Sequence, residues 1–241
     1  MNEPGLQDRI AALRERITNA AKRAGRVADD VTLIAVSKTH SVEAIRRAFE
    51  LGITHFGENR VQEWEGKRAS LGDLRAEWHL IGHLQSNKAA KAARIFDCVD
   101  SVDDFAIAQR LDRARAEPGK GRKLRILIEV RIAPEAAKSG VQRGNLSALA
   151  EQIVALEHLD FRGLMCIPPF LDDLQSVRPY FRELRELRDH LEQRLGIKLP
   201  VLSMGMSHDF EIAIEEGATE VRVGTALFGT RAAAPTIPET K

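Results

Sequence analysis

Short apolar runs alternate with amphipathic stretches along most of this chain. Runs of this length that are rich in Val, Ile and Leu are typical of buried strands. The runs that predict strands cover residues 33–39, 54–57, 78–81, 97–101, 124–130, 160–167, 199–202 and 219–223. The stretches between them place apolar residues three or four positions apart, which predicts helices. These helices cover residues 41–52, 59–71, 87–95, 103–116, 145–156, 174–195 and 210–216.

This alternation predicts the fold class. Eight strand–helix units whose strands are apolar almost throughout favour a parallel (β/α)8 TIM barrel over an open sheet. The length of 241 residues suits one such barrel, so we predict a single α/β domain over residues 1–241. An extra N-terminal helix, residues 6–24, is expected to pack outside the barrel. We also predict a surface turn at residues 118–121 and a loose tail over residues 232–241.

Composition and charge narrow the possible environments and partners. The 36 basic and 35 acidic residues give a net charge of +1, which offers no broad field for nucleic acid or an anionic membrane. Residues 1–8 are polar and no apolar run reaches membrane-spanning length, so neither a signal peptide nor a membrane span is predicted. Cys98 and Cys166 lie in apolar runs and are expected to be buried thiols. We therefore expect a soluble cytoplasmic protein.

The first predicted strand carries the most informative residue, because Lys38 lies at its far end. An ammonium at the edge of an apolar core is desolvated, which should lower the pKa of this lysine and make the free amine available as a nucleophile. A free amine is what a Schiff base with an aldehyde such as pyridoxal phosphate requires. The alternative is a lysine that extends to solvent from the end of a strand, and position alone favours that alternative.

Candidate phosphate-binding loops follow the last two predicted strands. In a barrel of this kind the active site lies at the carboxyl ends of the strands, and phosphate commonly binds after strands seven and eight. Strand seven continues into a segment with two hydroxyls, Ser203 and Ser207, and strand eight continues into Gly224 and Thr225. A glycine permits close backbone approach, and a helix N-terminus offers free N–H groups. Each loop alone could equally be an ordinary helix cap.

Several other polar residues have two interpretations. Arg222 alternates with Val221 and Val223, so it could point into the barrel or pair with a carboxylate at the surface. An inward arginine facing a pyridine nitrogen would keep that nitrogen unprotonated and weaken the ring as an electron sink. Asn59 is first a candidate helix cap and second a cofactor contact, and Glu58 has no evident partner.

No metal site is predicted. His79 and His83 lie four residues apart, but on a strand this spacing corresponds to about 13 Å, too far for shared ligation. His208 could approach the phosphate loop or simply face solvent.

Seven segments carry a resemblance to a known family. In order, they are A-V-S-K-T at 35–39, H-F-G-E-N-R-V-Q-E at 55–63, W-H-L-I-G-H-L-Q-S-N-K at 78–88, D-S-V-D at 100–103, G-L-M-C-I-P-P at 163–169, S-M-G-M-S at 203–207 and V-R-V-G-T-A-L-F-G at 221–229. On these segments the chain resembles the pyridoxal phosphate homeostasis proteins, whose fold is similar to the N-terminal barrel of alanine racemase. His40 and His208 stand where family members more often carry other residues.

The resemblance implies a set of cofactor contacts. Lys38 would form the Schiff base with pyridoxal phosphate, and Arg222 would face the pyridine nitrogen. Asn59 would lie beside the cofactor. The residues that would hold the phosphate are Ser203, Ser207, Gly224 and Thr225.

The resemblance also implies a function without turnover. Alanine racemase adds a β-domain that supplies a second acid/base from a partner subunit, and only a short tail follows the eighth strand here. We therefore expect a monomeric protein that stores, buffers or delivers pyridoxal phosphate, with apo forms of pyridoxal phosphate enzymes as possible recipients. A single-domain racemase or related amino-acid enzyme that uses Lys38 as its base is the main alternative. A Schiff-base aldolase that binds a sugar phosphate is a third.

Overall fold

The computed structural model describes residues 4–116, 122–132 and 139–229. Within these ranges nine strands follow one another along the chain. They are β1 (Thr32–Val36), β2 (His55–Glu58), β3 (Glu77–Leu80), β4 (Cys98–Val102), β5 (Leu124–Arg131), β6 (Val141–Gln142), β7 (Leu159–Met165), β8 (Val201–Met206) and β9 (Glu220–Val223).

Nine α-helices lie among these strands in the described ranges. They are α1 (Leu6–Arg23), α2 (Val42–Glu50), α3 (Val61–Leu71), α4 (Ala89–Ile95), α5 (Phe105–Arg115), α6 (Arg143–Val154), α7 (Arg178–Leu195), α8 (Phe210–Glu215) and α9 (Thr225–Phe228). Helix α1 packs outside the barrel against α8 and α9, as the sequence predicts. No helix in the described ranges is both long and apolar enough to cross a membrane.

Eight of the strands close into a parallel barrel. The hydrogen-bonded order runs β4-β3-β2-β1-β9-β8-β7-β5, and a further pairing between β4 and β5 completes the ring. Among the strands that the structure describes, β6 pairs only with the end of β5 and stands outside the ring. The predicted (β/α)8 barrel is therefore confirmed, and the two-residue strand β6 is an element that the sequence pattern did not indicate.

The apolar core lies mainly between the barrel and its helices. Because successive strand residues point to opposite faces, Phe56 and Trp78 point outward, where they stack on each other with ring centroids 5.1 Å apart. Trp64 of α3 stacks on Trp78 at 3.6 Å and its indole N–H donates to the Ile95 carbonyl at 2.8 Å. The helices therefore cover the outward-facing side chains of the strands, and the inward-facing side chains fill the interior of the barrel.

The ends of several elements differ from the prediction in ways that matter for the site. Strand β1 ends at Val36, so Lys38 and Thr39 lie in the following turn rather than in the strand. Helix α2 begins as predicted, with the Ser41 hydroxyl accepting a hydrogen bond from the Ala44 amide. The expectation that Asn59 caps α3 is wrong, since Arg60 is the N-cap residue of that helix and makes no side-chain capping bond.

Strand β8 continues four residues beyond the predicted end at Leu202. Its pairing register with β9 shifts between Ser203 and Met206, and Gly205 there has a φ of 93°. A Cβ on Gly205 would lie 2.6 Å from the Ala213 Cβ, so only glycine lets β8 approach α8 this closely. The predicted turn at residues 118–121 and the predicted tail at 232–241 lie outside the described residues.

Candidate functional site

A cavity of about 280 Å³ opens at the carboxyl ends of strands β1, β8 and β9. We call this region the barrel mouth, and five of the predicted site residues line it: Lys38, Ser207, Arg222, Gly224 and Thr225. Val36, His40, Phe170, Met206, His208 and Gly229 complete the lining. The structure therefore brings together the lysine, both predicted phosphate loops and the arginine in one cavity.

Lys38 reaches the cavity from a tight turn directly after β1. The side chain is half-buried, and the His40 amide donates to the Ser37 carbonyl at 3.1 Å across the turn. Thr39 has a φ of 65°, in the left-handed region that non-glycine residues rarely adopt. Phe228 and His40 stack with ring centroids 4.3 Å apart at the edge of the same cavity.

A buried group of charged side chains lies behind this turn, which the sequence did not indicate. Glu58 at the end of β2 is fully buried, and its Oε1 accepts hydrogen bonds from the Ser37 hydroxyl at 2.7 Å and from Lys67 Nζ at 2.9 Å. Lys67 also donates to Glu63 Oε1 at 2.8 Å. The interpretation of Glu58 as a carboxylate without a partner is therefore wrong.

The two carboxylates of this group differ in acidity. Burial raises the pKa of Glu58, and the hydrogen bonds from Lys67 and Ser37 offset only part of that effect. Burial also acts to raise the pKa of Glu63, but the hydrogen bonds from Lys67 and the Thr39 amide outweigh it and hold this pKa below its usual value. Glu63 is thus the carboxylate that stays ionised most readily beside the turn of Lys38.

The two predicted phosphate loops meet at Ser207. Its hydroxyl accepts hydrogen bonds from the amides of Gly224 and Ala226, each at 3.3 Å, so the loop after β8 caps the short helix α9. Gly224 has a φ of −109°, and an added Cβ would come no closer than 3.4 Å to Val36. The fold itself therefore does not require glycine at position 224. Close approach of a ligand to the backbone is a reason for a glycine there.

Arg222 points into the barrel, which decides between the two interpretations of this residue. It is almost fully buried, and its Nη1 donates to the Ser203 hydroxyl at 2.9 Å while its Nη2 donates to the Cys166 carbonyl at 2.8 Å. Ser203 is itself fully buried. Ser203 therefore contacts the arginine that lines the cavity, and Ser207 is the hydroxyl that reaches the cavity.

Asn59 and His208 take separate positions around the mouth. Asn59 lines a neighbouring cavity of about 570 Å³ after β2 and β3, together with His83 and Lys88. His208 lines the Lys38 cavity, where it stacks on Phe170 at 4.5 Å and its Nε2 lies 3.0 Å from the Leu171 carbonyl oxygen.

The opposite end of the barrel interior holds a second group of charges. We call it the barrel floor, and it consists of His55, Glu77, His79, Asp100, Arg125 and Glu220. His79 Nδ1 lies 3.3 Å from Asp100 Oδ1, and His79 Nε2 lies 3.1 Å from His55 Nδ1. His83 is separated from this group and lies 3.7 Å from Asp103, so the two histidines do not share a site.

The floor residues shift each other's acidity. Burial acts to lower the pKa of His79, but the Asp100 carboxylate outweighs it and raises that pKa. A protonated His79 donates from both ring nitrogens, to Asp100 and to His55, and burial beside this charge lowers the pKa of His55 to about 4. Burial and the Asp100 charge raise the pKa of Glu220 to about 7.

The floor was missed because its residues lie singly in apolar strands. The signal available in the sequence is a polar residue at alternate strand positions, as in Glu220 and Arg222 of β9. His79, Cys98 and Asp100 also offer metal-ligand atoms within 4.8 Å of one another, as do His55, Glu77 and His79. Arg125 forms an ion pair with Glu77, so the guanidinium group of Arg125 already occupies part of this region.

Comparison with known proteins identifies relatives that match this chain over most of its length. The family model described as "Alanine racemase, N-terminal domain" matches residues 9–232. A protein of Aquifex aeolicus named "Pyridoxal phosphate homeostasis protein" is 45% identical over 224 residues, which cover 93% of this chain and 97% of the relative. Further relatives of similar identity, including one from Pseudomonas aeruginosa, carry the same name.

Solved structures extend the comparison. The structure of PipY of Synechococcus elongatus with pyridoxal phosphate bound is 41% identical, has a TM-score of 0.83 and covers 93% of this chain and 100% of its own. An alanine racemase of Clostridium difficile shares the fold at 14% identity and a TM-score of 0.70, and only 61% of its chain is covered. The extent of these matches places the chain in the family of pyridoxal phosphate homeostasis proteins, built on the barrel of the alanine racemase N-terminal domain.

Proposed function

We propose that this protein binds pyridoxal 5'-phosphate in the barrel mouth, through a Schiff base on Lys38, and stores, buffers or delivers the cofactor. The observation that carries the proposal is the single cavity shared by Lys38, Ser207, Arg222 and Thr225. An amine, hydroxyls beside backbone amides and a buried guanidinium are the groups that an aldehyde, a phosphate and a pyridine nitrogen require. The cofactor bound by PipY in its solved structure supports the same assignment.

Each mouth residue has a defined part in this proposal. The amine of Lys38 condenses with the cofactor aldehyde, with release of one water molecule. Ser207, Gly224 and Thr225 hold the phosphate, where the Ser207 hydroxyl already meets the amides of Gly224 and Ala226. Ser203 supports Arg222 from the buried side, and Asn59 lies at the neighbouring cavity after β2.

Arg222 limits what the bound cofactor can do. When bound, pyridoxal phosphate supplies an electron-withdrawing ring, and this property is strongest when the pyridine nitrogen is protonated. A guanidinium is a permanent donor and cannot supply that nitrogen with a proton at neutral pH. Arg222, fixed by Ser203 and the Cys166 carbonyl, therefore favours holding the cofactor over carbanion chemistry. We propose a carrier without turnover of its own.

The proposal extends to partners and location. Apo forms of pyridoxal phosphate enzymes are the recipients that a delivery function requires, and the protein acts as a monomer. A cytoplasmic location suits the two cysteines, Cys98 and Cys166, which are buried free thiols.

The decisive test of the covalent link is absorption spectroscopy on purified protein with pyridoxal phosphate added. Wild type should show the absorption band of a protein Schiff base, and Lys38→Ala should lack it. Lys88→Ala is the matched control, because this lysine lines the neighbouring cavity and should keep the band. Reduction with borohydride followed by peptide mass analysis should place the cofactor on Lys38. A band that survives in Lys38→Ala would overturn the assignment.

The same sample separates a carrier from the alternative, a single-domain racemase or related amino-acid enzyme. In an enzyme of that class, an amino acid must displace Lys38 from the cofactor and then be racemised. Addition of L-alanine would therefore change the absorption band and produce D-alanine. The carrier predicts no sustained racemisation. A Schiff-base aldolase predicts no band with pyridoxal phosphate and borohydride trapping only with a sugar phosphate.

A further inference from the structure

The turn that carries Lys38 has a β-branched residue where the backbone favours glycine. The hydrogen bond from the His40 amide to the Ser37 carbonyl, 3.1 Å long, closes a four-residue turn with Lys38 and Thr39 at its centre. A turn with positive φ at its third residue usually has glycine there, because a side chain is strained in that conformation. Thr39 is that third residue, with a φ of 65°. Contacts from outside the turn must therefore hold it in place.

Two side chains of α3 make those contacts, one on each side of Lys38. Glu63 Oε1 accepts a hydrogen bond from the Thr39 amide. Lys67 Nζ donates to the Ser37 carbonyl at 3.0 Å, and Lys67 and Glu63 bond each other at 2.8 Å. The backbone immediately before Lys38 and the backbone immediately after it are therefore tied to the same helix.

The remaining contacts of Lys67 make this arrangement rigid. An ammonium has three N–H donors, and Lys67 directs them to three oxygens, those of Ser37, Glu58 and Glu63. The Lys67 side chain is 14% exposed and that of Glu58 is fully buried, so solvent screens these charges weakly. Displacing any one member would leave a charged group partly desolvated without its partner.

We propose that Glu63 and Lys67 are positioning residues, which hold the strained turn so that Lys38 presents its amine to the cavity. Removing the acceptor of the Thr39 amide allows φ at Thr39 to relax to negative values. That rotation redirects the peptide unit that follows Lys38 and lowers the population of the reactive arrangement. The inference rests on the proposed function, since its main consequence is measured through the cofactor.

The experiment compares the same substitution at two sites of one helix. Glu63→Ala should slow formation of the Schiff-base band with pyridoxal phosphate about tenfold, which corresponds to about 1.4 kcal/mol. Glu65→Ala removes a carboxylate from the same helix, but Glu65 and its partner Lys91 are each 47% exposed, and the rate should stay at the wild-type value. Equal rates in wild type and Glu63→Ala would overturn the proposal.

A second pair of variants separates positioning from a general loss of packing. Glu63→Gln keeps an oxygen that can accept from the Thr39 amide, so it should remain within about threefold of wild type. In a Thr39→Gly background the turn needs less support, so Glu63→Ala should slow the reaction less than about threefold. Equal slowing by Glu63→Ala in the wild-type and Thr39→Gly backgrounds would show that Glu63 does not act through the turn.

Amide hydrogen exchange at Thr39 tests the same inference without the cofactor. The amide should exchange slowly in wild type and in Glu65→Ala, and at least about tenfold faster in Glu63→Ala, because its acceptor is lost. If wild type forms no Schiff-base band but this difference in exchange is present, the proposed function fails and the anchoring of the turn stands. If Thr39 exchanges equally fast in all three proteins, the anchoring fails whatever the spectrum shows.

Discussion

At the amino-terminal end of the barrel, His79 and Asp100 are fully buried and bond each other, whereas at the carboxyl end Lys38 is half-buried beside a cavity of about 280 Å³. Both regions place charge inside a parallel barrel, where apolar side chains usually fill the space. The floor packs its charged groups against one another, and among the described residues Asp100 Oδ2, Arg125 Nε and Glu220 Oε2 are buried there without a hydrogen-bond partner. The mouth arranges its polar groups around a cavity, and Glu63 and Lys67 bond the backbone of the lysine turn behind it.

This difference between floor and mouth separates the buried charges that stabilise the fold from the polar groups that form a ligand-binding site. A buried pair such as His79 and Asp100 is closed to solvent, so its removal should affect stability first. Ser207, Thr225 and Lys38 border the cavity, so their substitution should affect ligand binding first. Arg222 connects the two regions, since it lines the cavity and shares β9 with Glu220 of the floor.

The largest expected effect is the loss of one floor partner. Asp100→Ala leaves a buried His79 without its counter-charge, and we expect the free energy of unfolding to fall by about 3–5 kcal/mol. The measurement is urea denaturation followed by circular dichroism. The fraction that remains folded should still form the Schiff-base band with pyridoxal phosphate. A variant as stable as wild type, or a stable variant without the band, would contradict the division between floor and mouth.

The sequence predicted the mouth better than the floor, for a physical reason. Lys38, Ser207, Gly224 and Thr225 follow strand ends, and parallel strands bring their carboxyl ends to one edge, so local pattern was enough to group them. The floor depends on the side chains of β2, β3, β4, β5 and β9 meeting inside the barrel. Single polar residues in the sequence, such as His55 and Glu220, do not show which side chains lie together until the pairing register of the strands is known.

The group behind Lys38 was missed for a related reason. Lys67 belongs to an exposed-looking charged helix in the sequence, and only the packing of α3 against the turn after β1 brings it to the Ser37 carbonyl. The predicted cap at Asn59 was wrong because the chain stays extended for one more residue, so that Arg60 occupies the N-cap position. Propensity describes such ends only to within a residue or two.

The pH dependence of stability offers the next largest effect. Glu220 has a pKa of about 7 in the folded protein, above the usual value near 4.3, so the folded state holds its proton more tightly than the unfolded state. This group therefore makes the protein less stable as the pH rises from about 4.5 to 7, by up to roughly 3 kcal/mol. His55, with a pKa of about 4, acts in the opposite direction, because stability is lost as the pH falls from about 6.5 to 4.

Glu220→Gln separates these two contributions. The variant lacks the group that weakens the fold as the pH rises, so its stability relative to wild type should increase between pH 4.5 and 7.5. We expect that relative gain to reach roughly 3 kcal/mol, measured by urea denaturation at a series of pH values. Parallel curves for the two proteins across this range would show that Glu220 does not titrate there.

The smallest expected effect lies at the rim of the mouth, where a substitution should change cofactor release and leave stability almost unchanged. Phe170 is 75% exposed, lines the Lys38 cavity and stacks on His208. Because so little of the ring is buried, Phe170→Ser should change the free energy of unfolding by less than about 0.5 kcal/mol. Loss of an apolar contact at the cavity should speed release of pyridoxal phosphate about two- to fivefold. The release rate is measured as decay of the Schiff-base band in the presence of an excess of an apoenzyme that traps the cofactor.

Val27→Ser is the matched control, because Val27 is 64% exposed and precedes β1 at the other end of the barrel. Equal release rates in both variants would show that the rim does not retain the cofactor, and would confine the binding function to the residues deeper in the mouth.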